Sequence, residues 1–204
     1  MSSRARVVAL LVMAVIVLAA LAILGLWANS GGRGGEGGTA GGGAAAPTRE
    51  PLTAQTAYQA ARAAAEAWQG DAWLIDLSAS WPNATRERVL AGQPGWTFQF
   101  YSPQTREVQS ISVAQDTVAL TRRRAVSVAP APIDEAAWRL SAEDAALLFL
   151  AHGGERYLEQ SRRSTFHLHL AAEDGRVVWT GIAVGSGADP LVVRFDATSG
   201  ERLP

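Results

Sequence analysis

Of all residues in the chain, His167 and His169 come closest to a spacing that could do chemistry. They lie two apart on a predicted strand, so both imidazoles project from one face, opposite Phe166, Leu168 and Leu170. Two imidazoles on one face can begin a zinc or copper site, but a structural zinc site wants four ligands. His152, Glu155 or Glu159 would complete such a set only if the fold brought them alongside. The plainer reading is two solvated histidines on the outer face of a sheet. On it no metal is assigned, and His167 and His169 remain the metal candidates to be tested.

A second group is built for contact. Arg122, Arg123 and Arg124 form a basic run suited to phosphates of lipid head groups or to an anionic polymer. Trp81, followed by Pro82 and Asn83, falls in a stretch read as a long loop from Ser80 to Pro94, where an exposed indole would anchor a partner. These four residues are the partner-binding candidates.

Other patterns fail as catalytic sites. Gly185-Ser186-Gly187 lacks the spacing of a nucleophile elbow. The glycine-rich stretches do not sit between a strand and a helix, and the chain has no lysine with which to finish a phosphate loop. The adjacent carboxylates Glu143 and Asp144 open a predicted helix, where they complement its dipole. With no cysteine there is no disulfide, thiolate nucleophile or cysteine-held metal cluster. We therefore expect no catalytic residue, no cofactor and no enzyme. A net charge of −1 gives no general attraction to nucleic acid. All 18 basic side chains are arginine, for which coding bias is a better explanation than selection for planar ion pairs.

The elements that must position these residues begin with a membrane segment. Residues 1–6 form a short N-terminus containing Arg4 and Arg6, and residues 7–27 read as a transmembrane helix. Twenty apolar residues from Val7 to Leu26, at about 1.5 Å each, span about 30 Å of hydrocarbon. Trp27 stands at the interface. This run exceeds the usual signal-peptide core of about 7 to 15 residues and lacks an evident small-x-small cleavage site, so an uncleaved anchor is expected. No cysteine follows it, so no lipoprotein anchor is expected. The arginines place the N-terminus in the cytoplasm and the remainder outside.

Residues 28–50 carry nine glycines between Gly31 and Gly43 and read as a disordered linker. A tether of this length has a root-mean-square span of about 25 to 30 Å.

Two α+β units are expected beyond it, 51–128 and 129–204. In the first, Ala54, Tyr58, Ala61, Ala65 and Trp68 recur at helical spacing, with Thr53 as N-cap and Gly70 as stop. Alternation then marks strands at Trp73, Ile75, Leu77 and Ala79, at Trp96, Phe98 and Phe100, at Ile111 and Val113, and at Val118 and Leu120. The second unit opens with a capped helix at Ser141 that stops at Gly153-Gly154. Tyr157-Leu158 then begins a short strand, and a hairpin turns at Asp174-Gly175. Both units run helix then strands. Thr97-Phe98-Gln99-Phe100 is echoed by Thr165-Phe166-His167-Leu168, which suggests an internal duplication of about 70 residues joined by Ala129-Pro130-Ala131-Pro132.

The ending Val192-Val193-Arg194-Phe195-Asp196-Ala197-Thr198-Ser199-Gly200-Glu201 resembles the last strand and turn of PepSY-type domains. The helix opening Ser141-Ala142-Glu143-Asp144 is similar to that family's first element. The resemblance covers Leu140 to Leu203 and extends to the first unit only in element order. It implies a cystatin-like helix on a small antiparallel sheet, used in cell-envelope proteins and protease propeptides for binding or inhibition, with no catalytic residues to carry over. The expectation is a membrane-anchored, extracytoplasmic binding module that regulates or inhibits an envelope protease or other envelope protein. Its partners are the bilayer, through residues 7–27, and that protein, with no nucleic acid. A metal- or ligand-sensing domain using His167 and His169 is the alternative.

Overall fold

The computed structural model describes residues 52–92, 95–115 and 117–204. The transmembrane helix expected at 7–27 and the linker at 28–50 lie outside the described residues. No helix among the described residues is long and apolar enough to cross a membrane.

Helix α1 (Ala54–Trp68) starts where the Thr53 hydroxyl accepts the Thr56 N–H at 3.1 Å. Its buried side is mostly alanine: Ala54, Ala57, Ala61 and Ala65. Small side chains let the helix lie close on the sheet, and Tyr58 fills the remaining gap. Its ring meets Phe98 at 6.0 Å, Phe100 at 6.3 Å and Trp138 at 5.6 Å. After α1 come β1 (Trp73–Trp81), the short helix α2 (Arg86–Leu90), β2 (Gly95–Ser102), β3 (Glu107–Ala114) and β4 (Thr117–Ala125).

The second half also opens on a helix. The Ser141 hydroxyl accepts the Asp144 N–H at 3.0 Å and caps α3 (Ala142–Phe149). The chain then passes through a wide helical turn, Leu150–Gly154, where Gly153 at φ +107° supplies a conformation that only glycine enters freely. Helix α4 (Glu155–Gln160) follows, then β5 (Arg162–Glu173), β6 (Arg176–Ser186), β7 (Leu191–Asp196) and the two-residue β8 (Arg202–Leu203).

All the strands join one antiparallel sheet in the order β4-β3-β2-β1-β5-β6-β7-β8. The two halves meet at its centre, where β1 pairs with β5 from Asp76 opposite Ala171 to Trp81 opposite Phe166. Helices cover one face, over a core of Leu74, Leu77, Phe98, Phe100, Ile111, Phe149, Phe166, Leu168, Leu170, Trp179, Val193 and Phe195. Phe149 stacks on Phe166 at 4.3 Å and presses against Gly181, where an added Cβ would stand 2.7 Å from its ring. The expected α+β class with antiparallel sheet is what the chain adopts.

The Asp-Ala-x-x-Gly ending has a clear mechanical role. The Asp196 carboxylate accepts the N–H groups of Thr198 and Ser199, at 2.9 and 3.0 Å, and those bonds hold its pKa below the usual range. The Ala197 carbonyl accepts the N–H groups of both Arg139 and Leu140. The turn therefore clasps the segment that leads into α3.

Four expectations need correction. Strand β1 carries a bulge between Leu74 and Asp76, so Leu74 is buried in the core while Trp73 leaves it to meet Tyr101 at 5.2 Å. A one-residue slip reverses every side chain before it, which strict alternation could not reveal. Tyr157 and Leu158 lie in α4 rather than in a strand. The echoed phrase falls on β2 and β5, which are the second strand of one half and the first of the other. Trp81 is not a loop residue: it ends β1, is 6% exposed, and packs on Phe166 at 5.0 Å and Trp96 at 6.4 Å. The supposed loop carries α2, whose buried Val89 draws it onto the core.

Trp81→Ala should therefore cost about 3–5 kcal/mol, as large-to-small changes at buried aromatics do. Urea unfolding of the purified protein reads this directly. A midpoint unchanged from wild type would return Trp81 to the surface.

Candidate functional site

The face of the sheet opposite the helices gathers the polar side chains of the central strands. Asp76 and Ser78 on β1 pair with Gln99 and Thr97 on β2. Across the seam, Ser78 faces His169 and Ser80 faces His167 on β5, while β6 sets Thr180 beside His169 and Ile182 beside His167. This face is sheltered. Tyr101, Val108, Val178 and Ile182 are buried on it without belonging to the helix-side core.

At its centre His169 Nε2 is hydrogen-bonded to Asp76 Oδ2, and Gln99 donates to the other carboxylate oxygen at 3.4 Å. The two side chains of the His–Asp pair are only 24% and 18% exposed. Burial pushes the His169 imidazolium down in pKa. The charge and hydrogen bond of Asp76, with a contribution from Glu173, outweigh it, so His169 sits above its ordinary value. Glu173 is itself ion-paired with Arg194. His167, two residues away, is pushed below its ordinary value by burial alone. The two histidines are thus shifted in opposite directions. Thr180 is 7% exposed and its hydroxyl has no hydrogen-bond partner.

The expectation of two solvated histidines is corrected: both share a face, but that face is sheltered and His169 is bound to a carboxylate. The residues named to complete a metal set do not join them. The His152 ring meets Phe195 at 5.3 Å, on the helix side of the sheet, and its Nδ1 is bonded to the Leu148 carbonyl. Glu155 pairs with Arg86 at 2.9 Å. Among the described residues no three His, Asp or Glu side chains converge as metal ligands would. Chemically, the pair on the open face can hold a proton and orient an imidazole.

Arg122, Arg123 and Arg124 lie at the sheet edge, on β4, where every residue except Ala119 is exposed. Sequence reasoning missed Asp76. Its alternation with Leu77 already put it on the polar face, but nothing local said that β1 and β5 would be neighbours.

No family model matches the chain, and no curated protein matches it. One solved structure is similar, that of a "putative lipoprotein" from Clostridium difficile 630. Its TM-score is 0.49 at 11% identity, over 72% of this chain and 90% of that one.

The His169–Asp76 pair predicts a pH signature. A histidine raised in the folded state contributes stability fully below its unfolded value, about 6.5, and loses it as pH rises through the folded value. Asp76→Asn should thus cost about 1–3 kcal/mol at pH 6 and distinctly less at pH 9. His167→Gln should act with the other sign, improving relative stability as pH falls below 6.5 because the unfolded chain no longer gains a proton there. Urea midpoints between pH 5 and 9 test both; equal losses for Asp76→Asn at pH 6 and 9 would rule out the coupling.

Proposed function

We propose that the chain is a membrane-anchored, extracytoplasmic binding module that regulates another envelope protein by contact rather than by catalysis. The observation that carries this reading is the edge strand β4, exposed along its length and bearing all three arginines singled out for contact. The helix side of the sheet is filled by core, which leaves the β4 edge as a surface for a partner. The apolar run at 7–26 and the Gly-rich stretch after it support tethering at a bilayer. The PepSY resemblance of Leu140 to Leu203 adds binding or inhibition, with an envelope protease as one candidate target.

The sheet order, with each half running outward from the central pair, supports descent of the halves from one duplicated unit. Here the equivalent strands are β1 with β5 and β2 with β6, not those carrying the echoed phrase.

A second reading is favoured by the pairing of His169 with Asp76 beside His167, whose shift comes from burial alone, so that the two imidazoles are shifted in opposite directions. On it, the open face senses a proton, metal or small ligand and alters a partner contact. Tight stoichiometric Zn²⁺ or Cu²⁺ uptake that disappears in a His167→Ala/His169→Ala variant would promote this reading over the first.

Two measurements test the leading reading. Alkaline phosphatase fused after Pro204 should be active in the native host, and an inactive fusion would refute the orientation. Cross-linking of the full-length anchored chain in native membranes should recover one specific envelope protein, and recovery of background alone would refute the binding module.

A further inference from the structure

The two edges of the sheet are built differently. At one end β8 offers two residues, and at the other β4 offers nine, Thr117–Ala125, with no strand pairing to its outer side among the described residues. An antiparallel edge strand directs the N–H and C=O of alternate residues outward, ready for another chain. Here that edge is held firmly. At the bulge in β4, where Thr121 is the extra residue opposite Ser110 and Ile111, Thr121 Oγ1 donates to the Ser110 carbonyl at 3.2 Å. The amide of Gln109, 4% exposed, donates to the Arg122 carbonyl at 3.2 Å.

The register distributes the arginines over both faces. Arg122 pairs with Ser110 and Arg124 with Val108, on the open face. Arg123 pairs with Gln109, on the helix side, with Val118 and Leu120 further along the same side, 41% and 53% exposed. The Arg123–Glu107 ion pair is long, 3.7 Å, and its arginine is 58% exposed, so it holds the guanidinium only weakly. Among the described residues Arg122 and Arg124 have no ion pair.

Resting on the binding-module reading, we propose that the outer edge of β4 takes up an extended acidic segment of the partner protein as an added strand. Arg122 and Arg124 hold its carboxylates on one face, Arg123 holds them on the other, and Val118 and Leu120 receive its apolar side chains. Charge selects this occupant. A second copy would bring three more arginines to this edge and no carboxylate on its own β4 to meet them. An anionic bilayer laid on either face of the sheet would meet Arg122 and Arg124, or Arg123, but not all three.

The test uses the full-length chain in nanodiscs of neutral lipid and a fluorescein-labelled nine-residue peptide, Thr-Glu-Glu-Glu-Thr-Val-Thr-Val-Thr, which laid antiparallel on β4 sets glutamates beside the three arginines and valines beside Val118 and Leu120. Fluorescence anisotropy should show binding that is weakened by roughly tenfold or more in the Arg122→Glu/Arg123→Glu/Arg124→Glu variant. Binding should be lost when alternate peptide nitrogens are methylated and when lysine replaces glutamate. An N-methylated peptide that binds as well as its parent would overturn strand addition. So would a chain that ignores the peptide yet binds phosphatidylglycerol vesicles through the same arginines. Cross-linking in native membranes with wild type and the arginine variant separates the two levels. The same partner captured equally by both sinks the β4 assignment and leaves the binding module standing; no partner with either sinks the module itself.

Discussion

The backbone pairing of β1 with β5 is the interaction on which the rest of this structure depends. It joins two four-stranded meanders into one sheet, so neither half presents an unpaired inner edge. It also places Trp81 against Phe166, Leu77 against Leu170 and Asp76 within reach of His169. The helix-side core and the polar open face are both products of this one register. A slip by one residue would turn Leu168 and Leu170 outward and bring both histidines into the core.

Local elements were legible because their signals are local. Thr53 and Ser141 cap the helices expected of them, and Asp174 and Gly175, at φ +50° and +79°, form the hairpin turn their types demand. The alternation of Phe166, Leu168 and Leu170 with His167 and His169 correctly separated core from open face. What failed depended on partners far along the chain. The β1 bulge exchanges Trp73 for Leu74 in the core for reasons set by β2. Trp81 stayed in a supposed loop because the strand that covers it lies more than 80 residues downstream. The candidate site shows the same division: the histidine face could be read, while the carboxylate that binds His169 lies 93 residues away.

The sheet thus gives its two sides different work. On the helix side, alanines on α1 and the notch at Gly181 let large aromatic rings fill the space between layers. The open side buries polar groups that need partners, and it meets that need unevenly. Asp76 receives two hydrogen bonds, whereas the Thr180 hydroxyl has none. Buried polar groups constrain a register more sharply than apolar ones, because an incorrect neighbour leaves them unsatisfied.

The central seam also has a consequence in time. Hairpins such as β2–β3 and β5–β6 close over a few residues, while β1–β5 must close a loop spanning most of the described chain. Loop-closure entropy makes such long-range pairing the slow step of folding. Synthesis from the N-terminus would leave β1 with one side bare until β5 emerged. During that interval the first half is a sticky intermediate, and delay in delivering the second half is the moment at which aggregation competes with the native fold.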